Sequence, residues 1–339
     1  MTEPAITINL VVLNGEKYIR RCLDSILIQS FDHRQIGINI LDNGSGDNTV
    51  EIIKEYLSRF DNFHHAEFIQ GTHNRGMWGG HEELWKRPGG EFVVVLSVDV
   101  VMHQDFIKNS VGIMKSDSAV GALQGKTYQM DSRVIDTCGF RITRSRAVMN
   151  IGHGESDDGR FDQACEIFGA EGAVPVFRMS ALESIRVMGE IVDHDLFWYG
   201  EDLDVAWRIR LAGWKERYEP SVIAWHDRQT TKSHAGRGWL ARIARLPIRR
   251  QIPIRRRQLE WRNTRWTRLK NDYIINILRD LPFIVWREIQ VLGYTILFEP
   301  RVLAELPHFM RLLPRMLRKR REILSQALTT PNQIHNYFS

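Results

Sequence analysis

Polar side chains follow three apolar runs of the sequence at the point where each run ends. The runs are residues 6–13, 36–41 and 92–98, and the side chains that follow them are Asn14, Asp42 and Asp99. Carboxylate oxygens bind Mg²⁺ or Mn²⁺, and a cation held by Asp99 would bridge a diphosphate and neutralise it as it leaves. Asp99 could equally be no more than the cap of the helix that follows it. Its position alone leaves both interpretations open.

Asp42 opens a second string of polar residues, Asp-Asn-Gly-Ser-Gly-Asp at 42–47. Such a string forms a tight loop, and by itself it predicts nothing further. The carboxylate of Asp42 could also accept the imide N–H of a uracil or thymine ring.

Two acids, Glu201 and Asp202, begin an amphipathic helical pattern that runs to Leu211, and Gly213 provides a C-cap. The N–H groups of the first turn are expected to keep both carboxylates ionised, and an ionised carboxylate that faces a crevice can act as a general base toward a hydroxyl. Two first-turn acids could also do no more than stabilise the helix. His226 ends a strand-like run, where a lone histidine is usually structural.

The elements that must position these side chains alternate between strand and helix over residues 6–98. Short apolar strands with interposed helices predict an α/β fold with a parallel sheet covered on both faces. Such sheets bind ligands at the carboxyl ends of their strands, so Asn14, Asp42 and Asp99 are expected to line one crevice. Residues 141–170 are polar and glycine-rich, which predicts a long exposed loop.

The charge of the chain is divided unevenly between an acidic body and a basic tail. Residues 231–339 contain 22 Lys+Arg and 7 Asp+Glu, whereas residues 1–230 contain 24 and 34. With 43% hydrophobic and 26% charged residues, the chain falls in the globular range, which excludes bulk disorder, collagen and coiled-coil rods. The cysteines Cys22, Cys138 and Cys165 suit neither a disulfide framework nor a thiolate metal cluster, which indicates a reducing compartment.

Neither an export signal nor a membrane-spanning segment is expected. The N-terminus lacks a basic region, and residues 5–13 alternate as a strand does. The longest uncharged stretch of the tail is residues 289–298, half of what a spanning helix needs. The sequence therefore predicts a cytoplasmic protein, either soluble or peripheral on the inner face of the cell membrane.

Five segments resemble, in order, the motifs of family 2 glycosyltransferases of the GT-A fold. They are Val11-Val12-Leu13-Asn14-Gly15-Glu16-Lys17-Tyr18-Ile19 with the helix behind it, the loop Asp42-Asn43-Gly44-Ser45-Gly46-Asp47-Asn48-Thr49, Asn74-Arg75-Gly76 with Gly79-Gly80, Leu96-Ser97-Val98-Asp99, and Tyr199-Gly200-Glu201-Asp202 with Trp225-His226. Each motif is weak alone, but their common order over residues 6–226 is a strong signal. The chain is most similar in character to bacterial rhamnosyltransferase-like members that build cell-surface polysaccharide.

This resemblance implies a nucleotide-sugar donor, a Mg²⁺ or Mn²⁺ ion and inversion at the anomeric carbon. It implies that Asp99 binds the metal and that His226 makes a further contact with the metal or the diphosphate. Asp202, with Glu201 beside it, would supply the base. Asp42 would hold the pyrimidine. The donor-binding residues implied as a set are Leu13, Asn14, Asp42, Asn43, Asn74, Gly76, Ser97 and Val98.

The match departs from the family at one place, where Ser97 stands for the usual first acid of the Asp-x-Asp motif. A hydroxyl is a poor ligand for a hard cation, so modest metal affinity is expected. A mechanism that depends little on metal, or a member that has lost activity, stays open.

The sequence thus predicts an inverting glycosyltransferase that moves a sugar from a UDP- or dTDP-sugar, with dTDP-rhamnose favoured weakly, to a hydroxyl of a glycan or lipid-linked acceptor. One alternative is a sugar nucleotidyltransferase, although Asn14-Gly15-Glu16-Lys17 is too short and too acidic to hold a triphosphate. The other is a catalytically degenerate scaffold that binds nucleotide-sugars.

We expect residues 1–230 to form the GT-A domain, with 1–125 as its nucleotide-sugar-binding part and 126–230 as its acceptor and catalytic part. Residues 231–339 form a basic helical extension. Basic helices with Trp and Leu faces favour an anionic membrane surface. The seam of a homo-oligomer is the second interpretation, and nucleic acid is disfavoured because the acidic body would repel a polyanion.

Overall fold

The structure is a computed structural model that describes residues 3–228 and 246–339, with the side chain of residue 248 left out. Its strands are β1 (Ile6–Val12), β2 (Ile36–Asp42), β3 (His65–Gln70), β4 (Phe92–Ser97), β5 (Val100–Met102), β6 (Val120–Gln129), β7 (Ile135–Thr137), β8 (Phe140–Ile142), β9 (Val148–Asn150), β10 (Cys165–Glu166), β11 (Val176–Arg178) and β12 (Lys215–His226). Its helices are α1 (Ile19–Leu27), α2 (Thr49–Leu57), α3 (Met77–Leu84), α4 (Phe106–Ser116), α5 (Met179–Ser184), α6 (Glu201–Leu211), α7 (Leu246–Gln251), α8 (Ile254–Asn271), α9 (Ile274–Arg279), α10 (Leu281–Phe298), α11 (Leu306–Gln326) and α12 (Pro331–His335).

The main sheet has the strand order β10-β12-β6-β11-β4-β1-β2-β3. The four strands β4, β1, β2 and β3 are mutually parallel, as the sequence predicts. The other half is mixed, because β11 runs antiparallel between β4 and β6. This mixed α/β sheet with flanking helices confirms the GT-A fold class.

Helices cover both faces of the sheet. Alternate residues of β4 point to opposite sides, so Val94 packs in the cluster with α1 and α4, while Val93 and Val95 pack in the cluster with α3, α5 and α6. Strands buried on both faces read as continuous apolar runs, which is why β1, β2 and β4 are recognisable in the sequence.

The register of the parallel strands brings their carboxyl ends level. Val12 of β1 pairs with Asp42 of β2, and Val11 pairs with Ser97 of β4. The loops after these three strands therefore start at one edge of the sheet, which is where the site is built.

The polar segment 141–170 departs from the expected exposed loop. It contributes β9 and β10 and the end of β8, and Ile142 and Phe168 are buried in a cluster with α6 and the C-terminal residues. Its scattered apolar side chains lack a regular period, so the pattern concealed this packing.

The C-terminal helices pack against the body through complementary charge. Lys270 of α8 contacts Asp193 and lies 2.9 Å from Asp204 of α6, and Lys319 of α11 lies 2.8 Å from Asp195. The sequence predicted that basic helices would turn toward an anionic surface. Lys270 and Lys319 are buried against acids of the body, so this part of the basic charge is paired within the chain. For the other basic residues of these helices, the anionic surface stays a prediction.

One helix is apolar on its outer side. Of the described residues, Leu281–Phe298 (α10) is the one helix long and apolar enough to cross a membrane by length and composition, and 11% of it is buried. The sequence analysis did not identify this helix as a candidate, because it counted only the uncharged stretch 289–298 and stopped at Arg287 and Glu288. α9 ends at Arg279 and α10 begins at Leu281, with Pro282 in its first turn.

Candidate functional site

The loops after β1 and β2 are joined by hydrogen bonds. The Asn14 N–H donates to Ser45 Oγ at 2.8 Å, and Asn14 Oδ1 accepts from the Gly46 N–H at 2.9 Å. Asn14 has a φ of +50°, an uncommon value that Asn tolerates better than most residues. Leu13, 39% exposed, borders the same junction. The two loops therefore form one wall of a crevice.

Asp42 is buried at the end of β2. Its carboxylate accepts the N–H of Ser45 at 3.1 Å and that of Gly44 at 3.3 Å. These contacts are those of a tight loop, so the carboxylate shapes the turn that carries Ser45 to Asn14.

Asn43 ties this turn to the loop after β3. Its Nδ2 donates to Asn74 Oδ1 at 3.2 Å and to the Gly76 carbonyl at 3.0 Å. Gly76 has a φ of +76°, and a Cβ there would lie 2.6 Å from the Phe197 carbonyl. Only glycine fits this approach. The loop after β3 thus abuts the segment that leads into α6.

Asp99 lies just past β4 in a hydrogen-bonded group. Ser97 Oγ donates to Asp99 Oδ1 at 2.6 Å, and His226 Nε2 lies 3.4 Å from Asp99 Oδ2. The pairing of β12 with β5, in which His226 is opposite Val100, places the histidine there. Val98 is half-buried, and a Cβ at Gly15 would lie 2.9 Å from its side chain.

The second nitrogen of His226 is held by another carboxylate. His226 Nδ1 lies 2.8 Å from Asp136 Oδ2 on β7. Burial opposes a charge on the imidazole, but the hydrogen bonds and charges of Asp136 and Asp99 raise the pKa of His226 to about 10. Burial alone would raise the pKa of Asp99, yet its contacts with His226 and Ser97 lower that pKa below its usual value.

This arrangement fits a divalent cation between Asp99 and His226. A metal-binding histidine almost always has its other ring nitrogen fixed by a carboxylate, which sets the orientation of the ring, and Asp136 makes that contact here. Asp99 Oδ2 lies 3.4 Å from Nε2, and a cation bound there would replace the Nε2 proton that Asp99 stabilises. Ser97 contributes a hydroxyl beside them and no second charge.

Two further charged residues extend the group. Arg228 Nε lies 2.8 Å from Asp136 Oδ1, and its Nη2 lies 2.5 Å from Glu171 Oε1. Ligand atoms of Asp136, Glu171 and His226 lie within 4.8 Å of one another, close enough for a second arrangement around a metal. The Arg228 guanidinium already neutralises Asp136 and Glu171, which favours Asp99 and His226 as the pair available to a cation.

Asp202 and Glu201 begin α6, on the far side of Glu171. Burial and the negative charge of Glu171 raise the pKa of Asp202 to about 6, against the opposing effects of the Leu203 N–H and of Arg228. Burial raises the pKa of Glu201 to about 8, and the charges of Asp202 and Asp204 add to the rise. The sequence predicted that the helix N-terminus would keep both acids ionised, whereas burial raises both pKa values, that of Glu201 more than that of Asp202.

Hydrogen bonds from α8 fix the segment before α6. Asn263 Nδ2 donates to the carbonyls of Leu196 and Trp198 at 2.8 Å and of Tyr199 at 2.6 Å. Phe197 and Tyr199 have φ of +63° and +67°, strained values that persist only where surrounding contacts impose them. The C-terminal helices therefore position the acids of α6.

The model of glycosyl transferase family 2 matches residues 7–183, more than half of the chain. The chain belongs to this family. Its sequence is 26% identical to poly-beta-1,6-N-acetyl-D-glucosamine synthase of Staphylococcus epidermidis over 220 residues, which are 65% of this chain and 49% of that protein. The synthase of Staphylococcus aureus strain COL is 24% identical over the same shares. This family 2 glycosyltransferase thus spans about half the length of the curated relatives it matches.

Solved structures share its fold. The mannosyltransferase PcManGT from Pyrobaculum calidifontis, in complex with GDP-Man and Mn²⁺, is similar with a TM-score of 0.54 at 16% identity, covering 98% of this chain and 88% of that one. S. aureus TarS in complex with UDP gives a TM-score of 0.52 at 14% identity, covering 98% and 90%. At these identities the likeness shows the fold alone, which is the GT-A architecture.

Within this family 2 glycosyltransferase, the structure gathers every residue that the sequence singled out at the strand-end edge or at the start of α6. Sequence reasoning missed Asp136, Glu171 and Arg228. The signals were slight: Asp136 is an acid inside a short apolar run, and Arg228 stands two residues after His226. Only the pairing of β6 with β7 and with β12 brings them together.

Proposed function

We propose that the chain is an inverting glycosyltransferase that moves a sugar from a UDP- or dTDP-sugar to a hydroxyl of a glycan or lipid-linked acceptor in cell-surface polysaccharide synthesis. The observation that carries this proposal is the series of contacts Asp99–His226–Asp136–Arg228–Glu171, which links the strand-end crevice to Asp202. In this proposal the diphosphate binds on the Asp99 side of the site, and Asp202 acts from the other side.

Asp202 is the proposed general base. A base works best with a pKa near the operating pH, and Asp202, at about 6, is ionised at pH 7 and still basic enough to accept a proton. The acceptor oxygen forms a bond to the anomeric carbon from the face opposite the leaving group, its proton passes to Asp202, and the bond from that carbon to the diphosphate oxygen breaks. One displacement inverts the anomeric configuration.

Glu201 supports this step as a neutral neighbour. With a pKa of about 8 it holds its proton at pH 7, so it leaves the negative charge on Asp202 alone. A second ionised acid beside Asp202 would raise the pKa of the base further.

Asp99 and His226 are the proposed ligands of a Mg²⁺ or Mn²⁺ ion, which when bound stabilises negative charge on the departing diphosphate. Arg228, fixed by Asp136 and Glu171, adds positive charge beside them. Because Ser97 replaces one acid, the affinity for metal is modest.

The donor is held at the carboxyl ends of β1, β2, β3 and β4 and by the loops that follow them, through Leu13, Asn14, Asp42, Asn43, Asn74, Gly76, Ser97 and Val98. Asp42 recognises the imide that uracil and thymine share, in addition to shaping its turn. The rhamnosyltransferase-like character favours dTDP-rhamnose. The enzyme works in the cytoplasm at the inner face of the cell membrane, with an anionic membrane surface and a second copy of the chain as its proposed partners.

The test is incubation with UDP- and dTDP-sugars and Mn²⁺. Slow release of nucleoside diphosphate, with water as acceptor, is expected. Release of pyrophosphate from a sugar phosphate and a nucleoside triphosphate would support the nucleotidyltransferase. Binding of a nucleotide-sugar without turnover would support the degenerate scaffold that Ser97 leaves open. Stabilisation by a purine nucleotide-sugar and by no pyrimidine one would contradict the role of Asp42.

A further inference from the structure

A cavity of about 370 Å³ lies between α8 and α10, and none of its lining residues belongs to the candidate site. Four arginines line it, against two acids, Glu260 and Glu299. The arginines are Arg249, Arg265, Arg268 and Arg287. Such a lining is suited to an anion, because guanidinium groups present forked donors that match phosphate oxygens.

Some of these donors have no partner in the part of the chain that the structure describes. Arg268 Nη1 donates to Glu288 Oε1 at 2.7 Å, but Arg268 Nε and Nη2 are buried without an acceptor among the described residues. The same holds for Trp261 Nε1, also at the cavity wall. A buried donor without a partner is costly, so an oxygen-rich ligand in this cavity would relieve several such costs together.

The helix that forms one wall of the cavity has an apolar outer face. Arg287, Tyr294 and Thr295 of α10 turn inward to the cavity. On its other side a stripe of large apolar residues is 43–64% exposed: Leu281, Val285, Trp286, Ile289, Leu292 and Ile296. Apart from the adjacent pair Val285 and Trp286, their spacing of three and four residues makes one continuous face.

The two faces of α10 fit different depths of one lipid leaflet. A helix lying in a membrane interface buries its apolar face about 5–10 Å into the boundary between headgroups and acyl chains, and a helix is about 10 Å wide. The cavity on the opposite side of α10 would then lie at the level of the headgroups. Trp286, the exposed aromatic of this face, is of the residue type that prefers that interface.

The helix is held flat against α8. Glu288 of α10 lies 2.6 Å from Arg265 and 2.7 Å from Arg268, and Glu299, just beyond α10, lies 2.8 Å from Arg249. A spanning orientation of α10 would break these ion pairs and place Glu288 in the hydrocarbon layer. The contacts therefore favour a helix that lies on the surface.

We propose that this cavity binds the phosphate of an anionic lipid headgroup while the outer face of α10 lies among the acyl chains. The lipid phosphate completes the hydrogen bonding of Arg268 and Trp261, and the site fixes which side of the enzyme faces the membrane. The proposal rests on the membrane attachment included in the proposed function, to which it adds a binding site and an orientation.

The test is co-sedimentation of the full chain with vesicles of phosphatidylcholine alone and of phosphatidylcholine with phosphatidylglycerol, without any donor. Each basic residue near an anionic leaflet contributes about fivefold in binding, so Arg265→Gln with Arg268→Gln is expected to weaken binding to anionic vesicles about 25-fold. The matched control removes the same charge from exposed positions of α11, Arg318→Gln with Arg321→Gln, and is expected to lose less than threefold. Equal losses in both double variants overturn the cavity, since diffuse attraction would then suffice.

Two further variants separate the parts of the proposal. Arg268→Lys keeps the charge but removes the forked donors, so binding to anionic vesicles is expected to weaken about fivefold. This single variant keeps the proposal testable if the double variant does not fold. Trp286→Ser with Ile289→Ser changes only exposed side chains and is expected to weaken binding to both kinds of vesicle. Unchanged binding in either variant contradicts the proposed contact.

A soluble probe distinguishes the source of the phosphate. If inorganic phosphate raises the Tm of the wild type through Arg268 while neither kind of vesicle pellets the chain, the site serves a free anion and the lipid proposal is overturned. If neither phosphate nor vesicles bind, the attachment itself is overturned. Release of nucleoside diphosphate is measured separately in lipid-free buffer, so failure of the lipid site and failure of sugar transfer are distinct results.

Discussion

Replacing Asp202 by Asn tests the assignment of the base, because the change removes one proton acceptor and keeps the shape of the side chain. Loss of a general base costs about 10²–10⁴-fold in rate. With a pKa of about 6, Asp202 is ionised in about nine molecules of ten at pH 7 and in about one of ten at pH 5. The wild-type kcat/KM is therefore expected to rise about tenfold between pH 5 and pH 7 and then to level off.

The assay is release of nucleoside diphosphate from the preferred donor, followed from pH 5 to pH 8 in the wild type and in Asp202→Asn. The variant is expected to be slow at every pH and to lose the rise centred near pH 6. Asp61→Asn, an exposed acid before β3 at the amino-terminal edge of the sheet, is the matched control and should retain the wild-type profile. Turnover of Asp202→Asn within threefold of wild type, or an unchanged pH profile, would refute the reasoning.

The remaining predictions concern stability and metal affinity. Glu201 has a folded pKa of about 8, above its unfolded value, so the folded chain holds a proton that the unfolded chain loses and stability falls as pH rises from about 4.5 to about 8. Glu201→Gln removes this fall, and its Tm relative to wild type should increase from pH 5 to pH 9; a constant difference would contradict the raised pKa. Asp136→Asn removes the carboxylate that holds His226 Nδ1 and should raise the Mn²⁺ concentration for half-maximal activity about 10- to 100-fold. The measurement is a Mn²⁺ titration of enzyme from which metal has been removed with a chelator. An unchanged concentration would mean that the metal binds elsewhere. Gly76→Ala introduces strain and a clash with a carbonyl and should destabilise the fold by about 1–3 kcal/mol in denaturant unfolding, while Gly46→Ala, with open space around it, should change stability little; equal effects would contradict the described approach.

The part of the site built on parallel strands could be predicted from the sequence. The apolar runs that become β1, β2 and β4 are recognisable because both faces of each strand are buried, and parallel pairing brings the residues that follow them to one edge. The bounds of α6 follow from its first acids and from Gly213. Asn14, Asp42 and Asp99 therefore lie at the same edge of the sheet, because each is at or just beyond the carboxyl end of a parallel strand.

The rest of the site depends on contacts between distant segments. Asp136 and Arg228 meet because β7 and β12 both pair with β6, and neither residue has a local pattern that marks it. The raised pKa values of Glu201 and Asp202 depend on burial, and Asn263 of α8 holds the segment that precedes them. A local rule about helix N-termini cannot include a helix whose Asn263 lies 64 residues after Tyr199, so it missed the burial that raises the pKa of Glu201.

The anomeric configuration of the first sugar product tests the central claim most directly. The full chain is incubated with Mn²⁺ and a UDP- or dTDP-sugar of known anomeric linkage, and proton NMR follows the sugar that appears before mutarotation equilibrates it. A single displacement assisted by Asp202 predicts that an α-linked donor first yields the β-anomer, with one nucleoside diphosphate released for each sugar. First appearance of the α-anomer, or no release of nucleoside diphosphate from any pyrimidine nucleotide-sugar, would contradict an inverting transferase.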